Sequence, residues 1–118
     1  MKFSQSLKKN KDFKTVYKNG RSKADRRLVM YVLRTDSKEN RIGISVSKKV
    51  GNSVVRHHLT RLVRESYRRN EEMFNSGLDI VVIVRTAAKE ATYHEIEESL
   101  LFLGHLQHVT YENEKAGI

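Results

Sequence analysis

A chain of 118 residues, 38% of them hydrophobic, is the size of one compact domain with one core and is too short for two. Its charged residues, 31% of the total, leave a formal net charge of +9, a balance unusual for an enzyme of small neutral metabolites and common in proteins that sit on polyphosphate. The lack of cysteine excludes disulfides, thiolate zinc sites and a cysteine nucleophile, and no apolar run reaches the roughly 20 residues that span a bilayer.

In chain order, Asn10 is placed to cap a short helix to Asn19, with Phe13, Val16 and Tyr17 on one side and Gly20 as a left-handed stop. Residues 21–23 can add a short edge strand. The run LVMYVL, residues 28–33, is apolar on both parities and rich in strand formers, so it reads as a central strand with both faces at least partly covered. Residues 37–40 make a turn. Along residues 41–47, Ile42, Ile44 and Val46 alternate with Arg41, Gly43, Ser45 and Ser47, a period of two with one apolar and one small, polar face. A helix follows from about Ser53 to Phe74, burying Val55, Leu59, Leu62, Val63, Ser66 and Met73. DIVVIV, residues 79–84, is a further strand. The last helix starts at Thr92, where T-Y-H-E forms a capping box with Glu95, and runs to about His108 with Tyr93, Ile96, Leu100 and Leu103 inward. The expected class is α+β, helices packed on a small mixed sheet, with a right-handed strand-helix-strand crossover by default.

No proline, repeat or Gly/Ser linker marks an internal boundary, so residues 1–118 read as a single domain. The opening MKFSQSLKKNKDF lacks the apolar core of a signal peptide, and a soluble, uncleaved, cytoplasmic protein is expected. Charge is unevenly spread. Residues 1–27 hold ten Lys/Arg against Asp12 and Asp25, residues 41–69 hold eight against Glu65, and from Asn70 onward nine Asp/Glu face Arg85, Lys89 and Lys115. Such polarity suggests one face for phosphate and another for solvent. A basic protein with unevenly solvated faces is the plainer alternative, and charge alone does not separate RNA from DNA or anionic lipid.

On the long helix His57, Arg61, Arg64 and Arg68 fall within about 60° of one another, with Thr60 beside them and Glu65 on the flank. Uncompensated arginines repel, so such a row is better explained by a polyanion than by helix stability. At the helix entrance, S-V-S-K-K-V-G-N-S brings Lys48 and Lys49 to a helix start that Asn52 or Ser53 can cap, an anion site by physics or an ordinary strand-to-helix turn. It is not a Walker loop. Phe13, Tyr17 and Tyr31, interleaved with Lys14, Lys18, Arg26 and Arg27, suit either core packing or stacking on unpaired bases.

The stretch R-I-G-I-S-V-S-K-K-V-G-N-S-V-V-R-H-H-L-T-R-L-V-R, residues 41–64, resembles the signature of the bacterial ribonuclease P protein family, including its RNR motif. The segments K-N-K-D-F-K-T-V-Y-K-N-G, A-D-R-R-L-V-M-Y-V-L and D-I-V-V-I-V-R-T-A-A are similar to other parts of the same family. The resemblance implies the order αβββαβα with a left-handed βαβ crossover, a ribosomal-protein-S5-domain-2-like fold, in place of the right-handed default. It implies a protein subunit of ribonuclease P that helps remove the 5′ leader of precursor tRNA by hydrolysis of one phosphodiester bond. Catalysis belongs to the RNA subunit, with Mg²⁺ bound chiefly by that RNA and the substrate; no catalytic and no metal-binding residue is expected in the protein, and neither DNA nor membrane is an expected partner.

Carried over position by position, Arg56, Arg61 and Arg64 match basic positions that meet the RNA subunit, and His57, His58 and Arg68 stand among them. Phe13, Tyr17 and Tyr31 match aromatic positions of a central cleft for the leader, with Ser45, Ser47, Lys48 and Lys49 around the same strand end. The family usually has Asn, then Arg or Lys, at His57 and His58, Lys at Thr60 and Asn at Asp25, so a leader contact at Asp25 is in question. Two rivals remain. A protein nuclease would need a converging acid and base. Adjacent His57 and His58 point about 100° apart on a helix and do not converge, while His105 and His108 could converge or bind a metal weakly on an acidic helix. A ribosomal or translation-factor RNA-binding domain shares the crossover and is separated by residues 41–64.

Overall fold

Alternation along Leu28–Arg34 decides how the helices divide between the two faces of the sheet. Leu28, Met30 and Val32 are buried on one side, and Val29, Tyr31 and Leu33 are half-buried on the other. The structure, a computed structural model, describes residues 1–111; residues 112–118 of the expected domain lie outside the described residues. Its elements are β1 (Ser4–Ser6), α1 (Asn10–Asn19), β2 (Arg21–Ala24), β3 (Leu28–Arg34), β4 (Asn40–Val46), α2 (Ser53–Asn70), β5 (Leu78–Val84) and α3 (Tyr93–Leu106), with 3-10 turns at Glu71–Met73 and Thr86–Ala88. They form one mixed sheet of order β1-β4-β5-β3-β2, in which β1-β4 and β4-β5 are parallel and β2-β3 and β3-β5 antiparallel.

The expected α+β class and the order αβββαβα hold from α1 onward, and β1 precedes them. That three-residue strand, Ser-Gln-Ser, carries no apolar alternation; it exists because its backbone pairs with β4, Ser4 opposite Asn40 and Ser6 opposite Ile42. As expected, β3 is an interior strand, between β5 and β2, and β5 is the middle strand of the five. Its run LDIVVIV leaves only Ile83 incompletely buried, as a strand covered on both faces requires.

On one face, α2 and α3 contribute Leu59, Val63, Tyr67, Ile96, Leu100 and Leu103 against Leu28, Met30, Val32, Ile42, Leu78, Ile80, Val82 and Val84. At roughly 1.5–3 kcal/mol for each fully buried large apolar side chain, this layer supplies most of the burial energy. The other face carries a much smaller cluster, in which Val16 of α1 meets Leu7 and Val81, flanked by Phe13, Tyr31, Leu33 and Ile83. So α1 covers its side of the sheet only in part.

Several local expectations change. The N-cap of α1 is Lys9, without a side-chain cap, rather than Asn10. Gly20 has φ −80° and is not left-handed; glycine is needed because a Cβ there would lie 2.6 Å from the Val16 carbonyl oxygen and 3.0 Å from that of Val32. The helix α2 ends at Asn70, and its buried side is rotated toward Tyr67, which is fully buried, while Val55, Leu62 and Met73 are only half-buried. The tyrosine hydroxyl explains the shift. It hydrogen-bonds the Ser4 hydroxyl at 2.8 Å and accepts from Asn40 Nδ2 at 3.2 Å, while Asn40 Oδ1 accepts the Leu78 amide at 2.9 Å. One side chain of α2 is thereby tied to β1, β4 and the start of β5. The Thr92 capping box forms as expected, and Arg27 donates to Glu95 and Ser99 of α3.

Candidate nucleic-acid interface

Where β4 ends, the chain turns through Lys48, Lys49 and Val50, with the Val50 amide donating to the Ser47 carbonyl at 3.1 Å. Gly51 is required by the helix it precedes, since a Cβ there would come within 2.7 Å of Val55 Cγ1. Asn52 is the cap, its Oδ1 accepting from the Val55 amide at 3.0 Å, and the first turn of α2 contains no acidic residue. Lys48 and Lys49 are exposed beside this positive helix end and make no ion pair among the described residues.

Along α2, His57, Arg61, Arg64 and Arg68 are exposed and face away from the core. Glu65 is less neutral toward this row than its flank position suggests. Arg68 donates Nε to Glu65 Oε2 at 3.0 Å and Nη2 to Oε1, and Arg69 Nε lies 3.3 Å from the same carboxylate. Arg68 first, then Arg69, holds the Glu65 carboxyl below its usual range. Arg61 and Arg64 form no ion pair or hydrogen bond among the described residues. Arg56 and His58 do not share the row. By helical angle they sit about 100° to either side of it, and Arg56 is half-buried, its Nε enclosed without a hydrogen-bond partner among the described residues.

Across the sheet lies the aromatic group. Phe13 packs its ring over Gly43, where a Cβ would come within 2.6 Å of the ring Cζ. Its centroid is 6.3 Å from that of Tyr17, which stands edge-on to Tyr31 at 5.1 Å. Phe13 and Tyr31 are half-buried packing residues, whereas Tyr17 is 38% exposed. Burial pushes the Tyr17 phenol up, with Ser45 opposing it and Tyr31 adding to it. Ser45 pairs with Ile83 on the same sheet face, and Ser47 is exposed just beyond the strand end. Phe13, Tyr17, Tyr31 and Ser45 thus form one cluster between α1 and the sheet, and Ser47, Lys48 and Lys49 follow where β4 ends.

Two expected positions prove local. The Asp25 carboxylate accepts the Arg27 and Leu28 amides, both at 2.8 Å, so it closes the turn before β3. His105 lies near the end of α3 while His108 follows it with φ 57°, which removes the helical spacing on which their convergence depended. Among the described residues no group of three or more His, Cys, Asp or Glu is placed to hold a metal ion, and no helix is long and apolar enough to cross a membrane. Sequence reasoning missed the Arg41 clamp, in which β4 binds Asp79 of β5 and Asp12 of α1; only the period-two pattern, which put Arg41 on the Gly43 and Ser45 face, hinted at it.

A mixed sheet with helices on one face, a partly open opposite face and an arginine row beside a cationic helix start define a small basic α+β protein of the nucleic-acid-binding class. The ribonuclease P family model matches residues 1–106. The chain is 52% identical over 111 residues to the ribonuclease P protein component of Lachnoclostridium phytofermentans, covering 94% of this chain and 96% of the relative. It superposes on the Staphylococcus aureus RNase P protein with TM-score 0.82 at 38% identity, covering 89% of this chain and 96% of that one. On the Thermotoga maritima RNase P protein, solved with 1-(4-fluorophenyl)-2-thiourea, the TM-score is 0.77 at 34% identity, covering 82% and 94%. The chain belongs to the ribonuclease P protein family and is a protein component of that endoribonuclease, whose work is tRNA processing within a ribonucleoprotein.

Proposed function

We propose that the chain, acting as one domain in the cytoplasm, binds the catalytic RNA of ribonuclease P through Arg56, His57, His58, Arg61, Arg64 and Arg68, and receives the 5′ leader of precursor tRNA in the groove of Phe13, Tyr17, Tyr31, Ser45, Ser47, Lys48 and Lys49. The observation that carries this reading is the contrast between two surfaces, one on α2 and one across the sheet beside α1. Arg61 and Arg64 are exposed and uncompensated on α2, a geometry suited to phosphate oxygens. Tyr17 offers a partly exposed ring beside the small polar side chain of Ser45, a geometry suited to an unstacked base.

Catalysis rests with the RNA subunit, and Mg²⁺ is held chiefly by that RNA and the substrate. The protein supplies affinity and placement, with neither DNA nor membrane as a partner. The test mixes the protein with a bacterial ribonuclease P RNA and precursor tRNA at low Mg²⁺. Stimulated cleavage is expected from the mixture and none from the protein alone; no stimulation at any protein concentration overturns the reading.

A further inference from the structure

The first helix has a face that the groove does not use. Taking Tyr17 as zero and advancing about 100° per residue, Phe13 and Val16 lie to one side at about 40° and 100°. Lys14, Lys18 and Lys11 lie to the other at about 60°, 100° and 120°. All three lysines are exposed, and together with Thr15 and Asn19 they line one shallow surface groove. The carboxylate of α1, Asp12, is turned to the far flank and held by Arg41 at 3.2 Å. None of the three lysine ammonium groups makes an ion pair or hydrogen bond among the described residues. Tyr17 is therefore the border between a packed aromatic edge and an unneutralised lysine row about 10 Å long.

The two basic helices also differ in kind. Every cation of α1 is lysine, and every cation of α2 apart from its histidines is arginine. Arginine forks suit phosphates held in a fixed geometry, as in a folded RNA; lysine ammonium groups on flexible stems act as point charges that tolerate a backbone of variable path.

Resting on the reading of the groove as the leader site, we infer that Lys11, Lys14 and Lys18 form a second, sequence-independent contact for the leader, gripping the phosphates of nucleotides that lie beyond those held against Tyr17. Single-stranded RNA leaving the groove over the Tyr17 edge meets this row directly, since the ring and the lysines are neighbours on one helix. The row adds affinity in proportion to leader length and carries no base preference.

The experiment uses the assembled holoenzyme with Lys11→Gln, Lys14→Gln and Lys18→Gln combined, the corresponding triple Arg variant, and Tyr17→Ala. Each is titrated with mature tRNA, a precursor whose leader fills only the groove, and one whose leader is several nucleotides longer. The triple Gln variant should bind the longer-leader precursor about tenfold more weakly at low salt, with its salt slope reduced by up to about 2, and leave the other two unchanged. The triple Arg variant should behave as the unmodified protein. Equal loss on all three RNAs, or no loss on any, overturns the inference. A leader-selective defect in Tyr17→Ala together with a length-independent one in the triple Gln variant sinks the lysine row alone; a Tyr17→Ala variant without leader selectivity sinks the groove reading beneath it.

Discussion

Arg41 grips both carboxylate oxygens of the buried Asp79, Nε to Oδ1 at 2.9 Å and Nη2 to Oδ2 at 2.6 Å, and turns its remaining nitrogen to Asp12 of α1 at 3.2 Å. A helix with little apolar contact of its own is thereby fastened to the parallel pair β4 and β5. The Asp79 pairing holds the Arg41 guanidinium above its usual pKa. Removing the arginine strands a carboxylate that is 4% exposed, whereas removing Asp12 breaks a partly exposed pair. Arg41→Gln should cost about 2 kcal/mol or more and Asp12→Asn less than about 1 kcal/mol in urea unfolding. Equal costs would show that the two arms of the clamp do not differ as their burial implies.

Tyr67→Phe keeps the ring and removes the hydroxyl that joins Ser4 to Asn40. The expected loss is about 1–2 kcal/mol, read as a lower urea midpoint at unchanged slope, with RNA affinity intact because Tyr67 is fully buried.

Glu71 provides the pH signature. Burial opposes its ionisation, but hydrogen bonds from the Lys2 amide, the Ser4 side chain and the Phe3 amide together hold its carboxyl below the usual range. The stability it contributes is complete above the ordinary glutamate pKa of about 4.3 and disappears as the pH falls through the lower folded value. Glu71→Gln should therefore be less stable at pH 7 and show a shallower acid loss between about pH 5 and 3, measured by thermal melts across that window.

Charge on α2 can be tuned in both directions. Arg61→Ala with Arg64→Ala should weaken association with the RNA subunit and flatten its salt dependence. Glu65→Gln releases Arg68 and Arg69 from their carboxylate and should do the reverse, tightening association at low salt. An unchanged salt slope in both variants would remove this helix from the RNA contact.

His57 and His58 are both exposed where the family usually carries Asn and a cation. A His57→Asn, His58→Arg variant adds a fixed guanidinium beside the arginine row and should bind the RNA subunit more tightly at low salt, with a steeper salt dependence. Equal affinity and equal salt slope for the two proteins would refute that account.

Local chemistry carried most of the fold into view. The capping box at Thr92, the apolar run of β5 and the alternation of β4 each depend on neighbours in sequence, and each forms. What stayed hidden depends on distant partners. The segment Ser-Gln-Ser is a strand only because β4 offers it an edge, and the buried Tyr67 hydroxyl is satisfied only by Ser4 and by Asn40, whose Nδ2 donates to it. Gly20 was misread for a similar reason: it is needed for what approaches it, the Val16 and Val32 carbonyls, rather than for its own dihedral angles. On the candidate site, spacing correctly grouped His57, Arg61, Arg64 and Arg68, while the pairing of Arg68 by Glu65 required side-chain geometry.

The position of β5 has a bearing on how the protein is made. It lies between β3 and β4, which precede it in the chain and do not touch one another as a ladder. During synthesis β3 can pair with β2 and β4 with β1, but the two pairs must wait for residues 78–84 before they join into one sheet, through contacts that are distant in sequence. Val16 of α1 rests on Val81 of that same strand. The groove is consequently among the last surfaces to be assembled, and a nascent chain lacks a finished place for RNA until its middle strand has arrived.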